Sequence, residues 1–328
     1  MLGGGAIGAE LAQVFARFGA RVTVVEAMVR LLPAEEPEAG QLLATVLTRE
    51  VLTVRTEAHA EQVSHDGQRF TSAFAGGEML TAQRLLVATG RRADLAGLGL
   101  GAYGLGDTGG TLATDERMRA AAGLWAVGDI TGKGGFTHVS MYQAAIAVAD
   151  ILGQDGPAAD YRAVPRVTFT DPEIGAVGLT EAQARQQGMD VRTGSTQLPS
   201  SARGWLHKTG NDGFIKLIED ARRGVLVGAT SAGPPGGEVL SALTVAVHAQ
   251  VPVADLRTMI YAYPTFPPRY PDRPRRPDHT DPASGDVLGA VAWPSRSPRT
   301  SGNCSKPPAT CTSLQRVPTA RRVTGSCG

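Results

Sequence analysis

The segment MLGGGAIGAELAQVFARFGARVTVVEAMVR, residues 1–30, carries the most informative pattern of the chain. Gly3, Gly5 and Gly8 fall in the pattern G-x-G-x-x-G, and an apolar helical pattern, a glycine and a β-branched strand follow in that order. Gly3 permits a tight strand-to-helix turn, Gly5 lets the backbone approach a pyrophosphate, and Gly8 lets the helix pack on the strand. The phosphates would lie at the helix N-terminus, where N–H groups and the helix dipole favour negative charge. The stretch predicts a Rossmann-like dinucleotide site, and a turn that binds nothing is the alternative.

The end of the strand bears on which dinucleotide binds. Glu26 closes the strand at the spacing where a carboxylate accepts hydrogen bonds from the adenosine ribose hydroxyls. A carboxylate there repels a 2′-phosphate, so the sequence favours NAD(H) over NADP(H). Arg30, four residues later, keeps NADP(H) open as the alternative.

The opening of the chain also differs from a complete nucleotide-binding domain. Only Met1 and Leu2 precede the glycines, where a buried strand of several apolar residues is usual. We therefore expect a clipped first strand and a sequence that begins inside a domain.

Composition excludes several classes of protein. The chain has 328 residues, enough for two or three domains, and a formal net charge of +1, which argues against a nucleic-acid-binding surface over the whole molecule. It contains no apolar run of membrane-spanning length and no signal peptide, so we predict a cytoplasmic protein without a membrane partner. The three cysteines, Cys304, Cys311 and Cys327, have no metal-ligand spacing, and we predict no metal site.

The α/β pattern continues from residue 31 to residue 92. A helix is predicted over 37–47, strands over 51–54 and 60–63, and a small antiparallel excursion follows. A further strand is predicted over 84–88, and it ends in the motif Thr-Gly-Arg-Arg at 89–92.

The next stretch changes character. A glycine-rich segment precedes a strand predicted over 124–127, which ends at Gly128 and Asp129. An aspartate at the carboxyl end of a strand lies where α/β sheets place ligand contacts. A helix is predicted over 136–152, with Val139, Tyr142, Ile146, Ala149 and Leu152 on or near one face.

The last ordered pattern predicts an α+β domain. Thr180 and Gln183 form a capping box, 213–218 and 224–230 are predicted to form a hairpin, and 238–249 a long apolar helix.

From 267 to 328 the sequence has ten Arg or Lys against four Asp, a difference of +6, and no periodicity. Such a tail predicts disorder, and binding to anionic partners is the alternative.

Nine short motifs together resemble the pyridine nucleotide-disulfide oxidoreductases, and in particular their dihydrolipoamide dehydrogenase and mercuric reductase branches. In chain order they are GGGAIGAE at 3–10, VTVVE at 22–26, ATGRR at 88–92, AVGD at 126–129, FTHV at 136–139, DPE at 171–173, VGLTE at 177–181, GFIKL at 213–217 and GPPGGE at 233–238. The resemblance covers residues 1 to about 266.

The resemblance implies an α/β flavoenzyme in which NAD(P)H reduces FAD and FAD reduces a disulfide or a small-molecule substrate. It implies an NAD(P)-binding domain at 1–92, the C-terminal part of an FAD-binding domain at 93–156 and a dimerisation domain at 157–266. The tail at 267–328 has no counterpart and is similar to the product of an altered reading frame. A homodimer formed through 157–266 is the expected assembly.

The resemblance also assigns residues. Glu10 corresponds to a glutamate near the nicotinamide carboxamide, although a first-turn acid favoured by the helix dipole is an equal alternative. Gly90 and Arg91 of the ATGRR motif, and Gly128 and Asp129 of AVGD, are placed at the cofactors, with Asp129 on the flavin ribityl chain. His138 lies in the segment beside the flavin, where a structural histidine is as common.

Two departures limit the expected activity. The family's first FAD-binding half and its redox-active cysteine pair would precede Met1, and no cysteine occurs before Cys304. Tyr263 stands where dihydrolipoamide dehydrogenases have the histidine of an acid–base dyad, which favours mercuric reductase. We expect either part of an FAD-dependent reductase, with a separately encoded FAD half as its candidate partner, or a catalytically inactive remnant that binds NAD or dimerises.

Overall fold

The structure is a computed structural model that describes residues 1–106 and 110–265. All of the described residues belong to one compact unit. The predicted tail at 267–328 and the three cysteines lie outside the described residues.

The first module has the predicted Rossmann-like order. Its elements are α1 (Ala6–Arg17), β1 (Thr23–Val25), α2 (Pro37–Arg49) and β2 (Thr53–Arg55), and β1 pairs in parallel with β2. The shortened first strand is a single residue, since Leu2 bridges Val25 on one side and Val87 on the other, both in parallel. Leu2 thus occupies the centre of the small sheet on which the glycine turn rests.

An antiparallel meander follows, as predicted. It consists of β3 (Ala60–His65), β4 (Phe70–Phe74) and β5 (Met79–Ala82). The strand predicted over 84–88 is wrong: only Val87 forms a bridge there, because its neighbour in the sheet, the strand at Leu2, is one residue long.

Residues 93–156 form short strands and one long helix. These are β6 (Arg119–Ala121), β7 (Leu124–Trp125) and α3 (Thr137–Ile151), with 3-10 turns at Ala96–Leu98, Leu100–Tyr103 and Asp129–Thr131. The predicted face of α3 is partly wrong. Val139 and Ile146 are buried, but Leu152 is 63% exposed and Gln143 is fully buried. Gln143 takes an interior position because it satisfies polar groups of the neighbouring turn.

The α+β domain is built on one antiparallel sheet. Its elements are β8 (Pro165–Thr168), β9 (Glu173–Gly178), α4 (Glu181–Gln186), β10 (Val191–Gln197), α5 (Ala202–His207), β11 (Phe214–Asp220), β12 (Val225–Gly233), α6 (Gly236–His248) and α7 (Val253–Thr258), with strand order β10-β11-β12-β9-β8. The predicted hairpin is β11–β12, and the capping box of Thr180 and Gln183 has both of its hydrogen bonds.

Helix α6 covers one face of this sheet with its own apolar residues. Leu240, Leu243 and Val247 pack in one cluster with Leu217 and Leu226. The other face of the sheet packs against α4. Most of the apolar surface of α6 is therefore buried within the chain.

Helix α1 turns a different face inward from the one that its large apolar residues mark. Ala9 and Ala12 are fully buried, whereas Phe15 is 44% and Phe18 is 83% exposed. The sequence pattern through Leu11, Val14, Phe15 and Phe18 therefore does not mark the buried face. Small residues are needed on the inner side because the helix lies close to the glycine turn.

Candidate functional site

The three fingerprint glycines have different structural requirements. Gly3 has φ of +99°, and a Cβ atom there would lie 2.4 Å from the carbonyl oxygen of Ala88. A Cβ atom at Gly8 would lie 2.0 Å from the carbonyl oxygen of Gly3. A Cβ atom at Gly5 would meet nothing within 4 Å. Protein packing thus requires Gly3 and Gly8, whereas Gly5 leaves open space at the N-terminus of α1.

Glu26 supports the glycine turn from behind. Its Oε2 accepts from the backbone N–H of Gly4 at 2.6 Å, and its Oε1 accepts from the N–H of Met28 at 2.8 Å. The residue is only 7% exposed. Each carboxylate oxygen has a second lone pair, so acceptance from a ribose hydroxyl is compatible with both bonds.

The side chain of Arg30 is bound within its own loop. Its Nη2 donates to the carbonyl oxygens of Pro33 at 3.0 Å and Glu35 at 3.3 Å. Its Nε is buried without a hydrogen-bond partner. The cation that kept NADP(H) open in the sequence is therefore committed to loop carbonyls.

Glu10 joins the first module to the α+β domain. Its Oε1 accepts from the backbone N–H of Phe169 at 2.8 Å. The loop after β8 is held further by Gln13, whose side chain exchanges two hydrogen bonds of 2.8 Å with the backbone of Asp171. Sequence reasoning missed Gln13, because the large apolar residues of α1 mark the opposite side of the helix as the inner one.

The turn at Gly128 and Asp129 is supported by a buried amide. Gly128 has φ of +82°, and its N–H donates to Oε1 of Gln143 at 2.6 Å. Nε2 of Gln143 donates to the hydroxyls of Thr131 and Tyr161, both at 2.9 Å. The turn therefore holds its shape without using the Asp129 carboxylate, and Gln143 is a supporting residue that the sequence analysis did not identify.

Asp129, Arg91 and His138 lie on the surface of one cleft. Oδ2 of Asp129 is 3.2 Å from Nη1 of Arg91, and the two side chains are half exposed. Nε2 of His138 lies 3.0 Å from the carbonyl oxygen of Pro165, and the ring stacks on Phe136. These three side chains remain accessible to a ligand.

The cleft has a volume of about 1490 Å³ and collects most of the predicted ligand contacts. Gly5, Glu10, Gly90, Arg91, Asp129 and His138 line it. Gly3, Gly8, Glu26 and Gly128 lie behind its wall and shape the turns that form it. Tyr263 is 75% exposed and is not among the lining residues.

Two further observations concern the described part of the chain. Within residues 1–106 and 110–265 no group of three or more His, Cys, Asp or Glu is arranged to hold a metal ion. Among those same residues no helix has both the length and the apolar character needed to cross a membrane.

Comparison with known proteins identifies the family. Residues 1–148 match the family model described as pyridine nucleotide-disulphide oxidoreductase, and residues 164–272 match that of the dimerisation domain of the same family. The chain belongs to the pyridine nucleotide-disulphide oxidoreductases. The expected fold class, an α/β oxidoreductase fold followed by an α+β dimerisation domain, is confirmed.

Individual oxidoreductases of this family are similar over the same region. Dihydrolipoyl dehydrogenase of Thermus scotoductus is 36% identical over 81% of this chain and 59% of its own length. Mercuric reductase of Streptomyces lividans is 35% identical over 81% of this chain and 57% of its own length. The chain thus spans just under three fifths of the length of these curated relatives.

Solved structures share the fold of the described residues. LpdA of Mycobacterium tuberculosis superposes with a TM-score of 0.72 at 28% identity, covering 80% of this chain and 58% of that one. The HOCl-induced flavoprotein disulfide reductase RclA of Escherichia coli superposes with a TM-score of 0.70 at 30% identity, covering 81% and 61%. The common core of the family's fold is therefore present in the described residues.

Proposed function

We propose that the chain binds NADH in the cleft and supplies the NAD(P)H-binding and dimerisation parts of an FAD-dependent oxidoreductase that reduces a disulfide or Hg²⁺. The open space at Gly5, directly at the start of α1, is the observation that carries the proposal. The first N–H groups of a helix have no intrahelical acceptor and are available to a pyrophosphate. The family membership supports the reaction class.

The residues of the cleft fit the dinucleotide. Glu26 retains acceptor capacity for the ribose hydroxyls and disfavours a 2′-phosphate, while Arg30 is bound to loop carbonyls. Glu10 lines the cleft, and its second carboxylate oxygen is our candidate for the nicotinamide carboxamide. Gly90 at the cleft wall lets the chain pass close to the cofactor with φ of +114°. NADH is therefore the proposed dinucleotide.

The second half of the cleft fits part of a flavin. Asp129 is the proposed acceptor for the ribityl hydroxyls, with Arg91 and His138 beside it. FAD held by these residues would supply two-electron transfer between the reduced nicotinamide and the substrate. Tyr263 remains our candidate for the acid–base group at that substrate, and a tyrosine there favours mercuric reductase over dihydrolipoamide dehydrogenase.

We propose further that the 328-residue chain alone has no catalytic activity. A flavin pyrophosphate needs its own set of charge-assisted hydrogen bonds, each worth about 1.5–3 kcal/mol, and in the family a separate glycine turn provides them. No cysteine precedes Cys304 to receive the electrons. A separately encoded FAD half would complete the enzyme, in the cytoplasm; a remnant that binds NAD or dimerises without catalysis is the alternative.

Titration calorimetry and an assay of the purified chain test these proposals. We expect NADH to bind more tightly than NADPH, no visible flavin absorbance, and no NADH oxidation with lipoamide or Hg²⁺. Tighter binding of NADPH would refute the choice of dinucleotide. A yellow preparation with stoichiometric FAD and turnover would refute the proposal that the chain alone is inactive.

A further inference from the structure

A loop between Glu26 and α2 lies directly against the glycine turn. We call residues 27–36 the specificity loop. The N–H of Leu32 donates to the carbonyl oxygen of Gly4 at 2.9 Å. Leu31 is fully buried, and a Cβ atom at Gly4 would lie 2.5 Å from its side chain. Any displacement of the specificity loop therefore moves the wall of the proposed dinucleotide site.

The α+β domain holds the end of this loop by a two-point ion pair. Nε and Nη2 of Arg166, on β8, donate to Oε1 and Oε2 of Glu35, both at 2.9 Å. The side chains are 23% and 12% exposed. A bidentate guanidinium–carboxylate pair fixes orientation as well as distance, and partial burial reduces its screening by salt.

A second, deeper contact holds the next residue. Nζ of Lys216, on β11, lies 2.8 Å from Oε2 of Glu36, and the two residues are 6% and 1% exposed. Oε1 of Glu36 accepts from the backbone N–H of Glu181 at 2.6 Å. Glu36 is thus bound on both oxygens by the α+β domain.

Lys216 also contacts two other carboxylates. Glu38 is 2.8 Å and Glu181 is 3.0 Å from its Nζ. Burial by itself lowers the pKa of Lys216, but hydrogen bonds to the three carboxylates outweigh it and raise the pKa above the usual value. The ammonium is therefore charged throughout the physiological range, and the contact with Glu36 persists.

Arg30 connects these contacts to cofactor choice. It is the one Arg or Lys in the sequence of the specificity loop, and its guanidinium donates to the carbonyl oxygen of Glu35, the residue that Arg166 holds. Release of Glu35 would remove one of the two carbonyls that hold Arg30 and leave only the bond to Pro33 at 3.0 Å, which makes the guanidinium more available to an anion. A 2′-phosphate is the anion that distinguishes NADPH from NADH.

We propose that Arg166 and Lys216 are positioning residues that set cofactor selectivity: they hold the specificity loop on the glycine turn and keep Arg30 bound to loop carbonyls. This inference rests on the proposed binding of NADH. Selectivity in the first module is then determined in part by a domain that does not line the adenosine end of the site.

Variants of the full chain test it, with calorimetric dissociation constants for NADH and NADPH and unfolding temperatures as readouts. Arg166→Gln should weaken NADH binding ~tenfold and reduce the NADH/NADPH affinity ratio by a similar factor. Arg166→Lys should restore part of the ratio. Adding Arg30→Gln to Arg166→Gln should abolish any gain in NADPH affinity, whereas Arg30→Gln alone should leave the ratio unchanged.

Arg49→Gln is the matched control. Arg49 pairs with Asp212 across the same two domains at the far end of α2, with contacts of 3.2 and 2.5 Å. Loss of this ion pair should at most lower the unfolding temperature, and the NADH/NADPH affinity ratio should stay unchanged. The double variant Lys216→Met/Glu36→Gln removes the deeper contact without leaving an unpaired charge at either position. It should reduce the NADH/NADPH affinity ratio, as Arg166→Gln does.

The possible failures are distinguishable. If the unmodified chain binds no NADH, the proposed function fails. If it binds NADH but Arg166→Gln keeps the same ratio, the inference is wrong and the ion pairs are only structural. An altered ratio for Arg30→Gln alone also contradicts it, because Arg30 would already contact the cofactor. Where Arg166→Gln does not fold, the milder variant Arg166→Lys provides the same test of the ion pair.

Discussion

At the scale of single residues, the carboxylate of Glu26 has two functions. It binds the N–H groups of Gly4 and Met28, and it is the proposed partner of the adenosine ribose. Sequence spacing pointed to the ribose alone, because the bond to Gly4 joins residues 22 positions apart in sequence. The hydrogen bonds to these two N–H groups explain why the side chain is almost fully buried even without a cofactor.

Replacement of Glu26 by alanine should therefore affect both stability and selectivity. Two backbone donors lose their acceptor, which costs about 1–3 kcal/mol of unfolding free energy for each that stays buried. The NADH/NADPH affinity ratio should fall as well, since the repulsion of a 2′-phosphate disappears. Chemical denaturation and calorimetry measure the two effects. A Glu26→Ala chain with an unchanged ratio would show that the carboxylate serves the protein only.

At the scale of elements, the glycines of the turn before α1 have two different roles. Two of them are required by contacts within the protein, and the third leaves room for a ligand. The three glycines are equivalent in the motif, but only two of them contact protein where a side chain would be. The sequence could not show that the large apolar residues of α1 point outward, because the inner face is chosen by how closely the helix approaches Gly3.

Gly5→Ala and Gly8→Ala form a matched pair of substitutions. Gly8→Ala places a methyl group against a backbone oxygen and should destabilise the chain by about 1–3 kcal/mol, despite the better helix propensity of alanine. Gly5→Ala meets no protein atom and should lower stability only by the small preference of an N-cap for glycine over alanine, ~1 kcal/mol or less. It should nevertheless weaken NADH binding ~tenfold or more, which is about 1.4 kcal/mol. Calorimetry with thermal unfolding separates the two. Unchanged NADH affinity for Gly5→Ala would place the pyrophosphate elsewhere.

At the scale of the whole molecule, the dimerisation domain predicts self-association. The apolar helix predicted at 238–249 is not mainly an interface, because most of the apolar face of α6 covers its own sheet. Large apolar side chains still exposed in the domain include Trp205, Leu206, Val245, Met259 and Ile260. A homodimer would bury exposed apolar surface of this kind.

Light scattering should show a dimer at micromolar concentration. Val245→Lys should shift the equilibrium toward monomer, because it places a charge on the exposed side of α6. Met79→Lys, at an equally exposed position in the first module, is the control and should leave the mass unchanged. A monodisperse monomer in the unmodified chain would contradict the homodimer.

The junction between the two domains should also weaken in acid. Burial opposes ionisation of Glu38 and Glu181, but Lys216, with Arg185 at Glu181, outweighs it and lowers the pKa of both carboxyls below 4.5. A lowered pKa means that the stabilisation is complete above the unfolded value and is lost as the pH falls through the folded value. Unfolding free energy should therefore drop below about pH 4.5, and less steeply in Glu38→Gln. Parallel pH profiles of the two chains would contradict this assignment.

The sequence by itself determined the class of fold and the position of the cleft wall. Glycine spacing, the following helix and the terminal acid act within about 30 residues, and steric limits on the backbone are local. The capping box of Thr180 and the β11–β12 hairpin were predictable for the same reason. The resemblance to the family also pointed to Gly90, Asp129 and His138, and the structure brings these three residues to one cleft.

Only the tertiary structure decided which groups hold that site in place. Glu36 and Lys216 are 180 positions apart in sequence, and Arg166 lies 131 positions from Glu35. The local sequence around Glu35 and Glu36, just before α2, does not indicate that a cation on a distant strand pairs with each of them. Such contacts depend on how two domains pack, because a buried charge is stable only where the fold provides its partner.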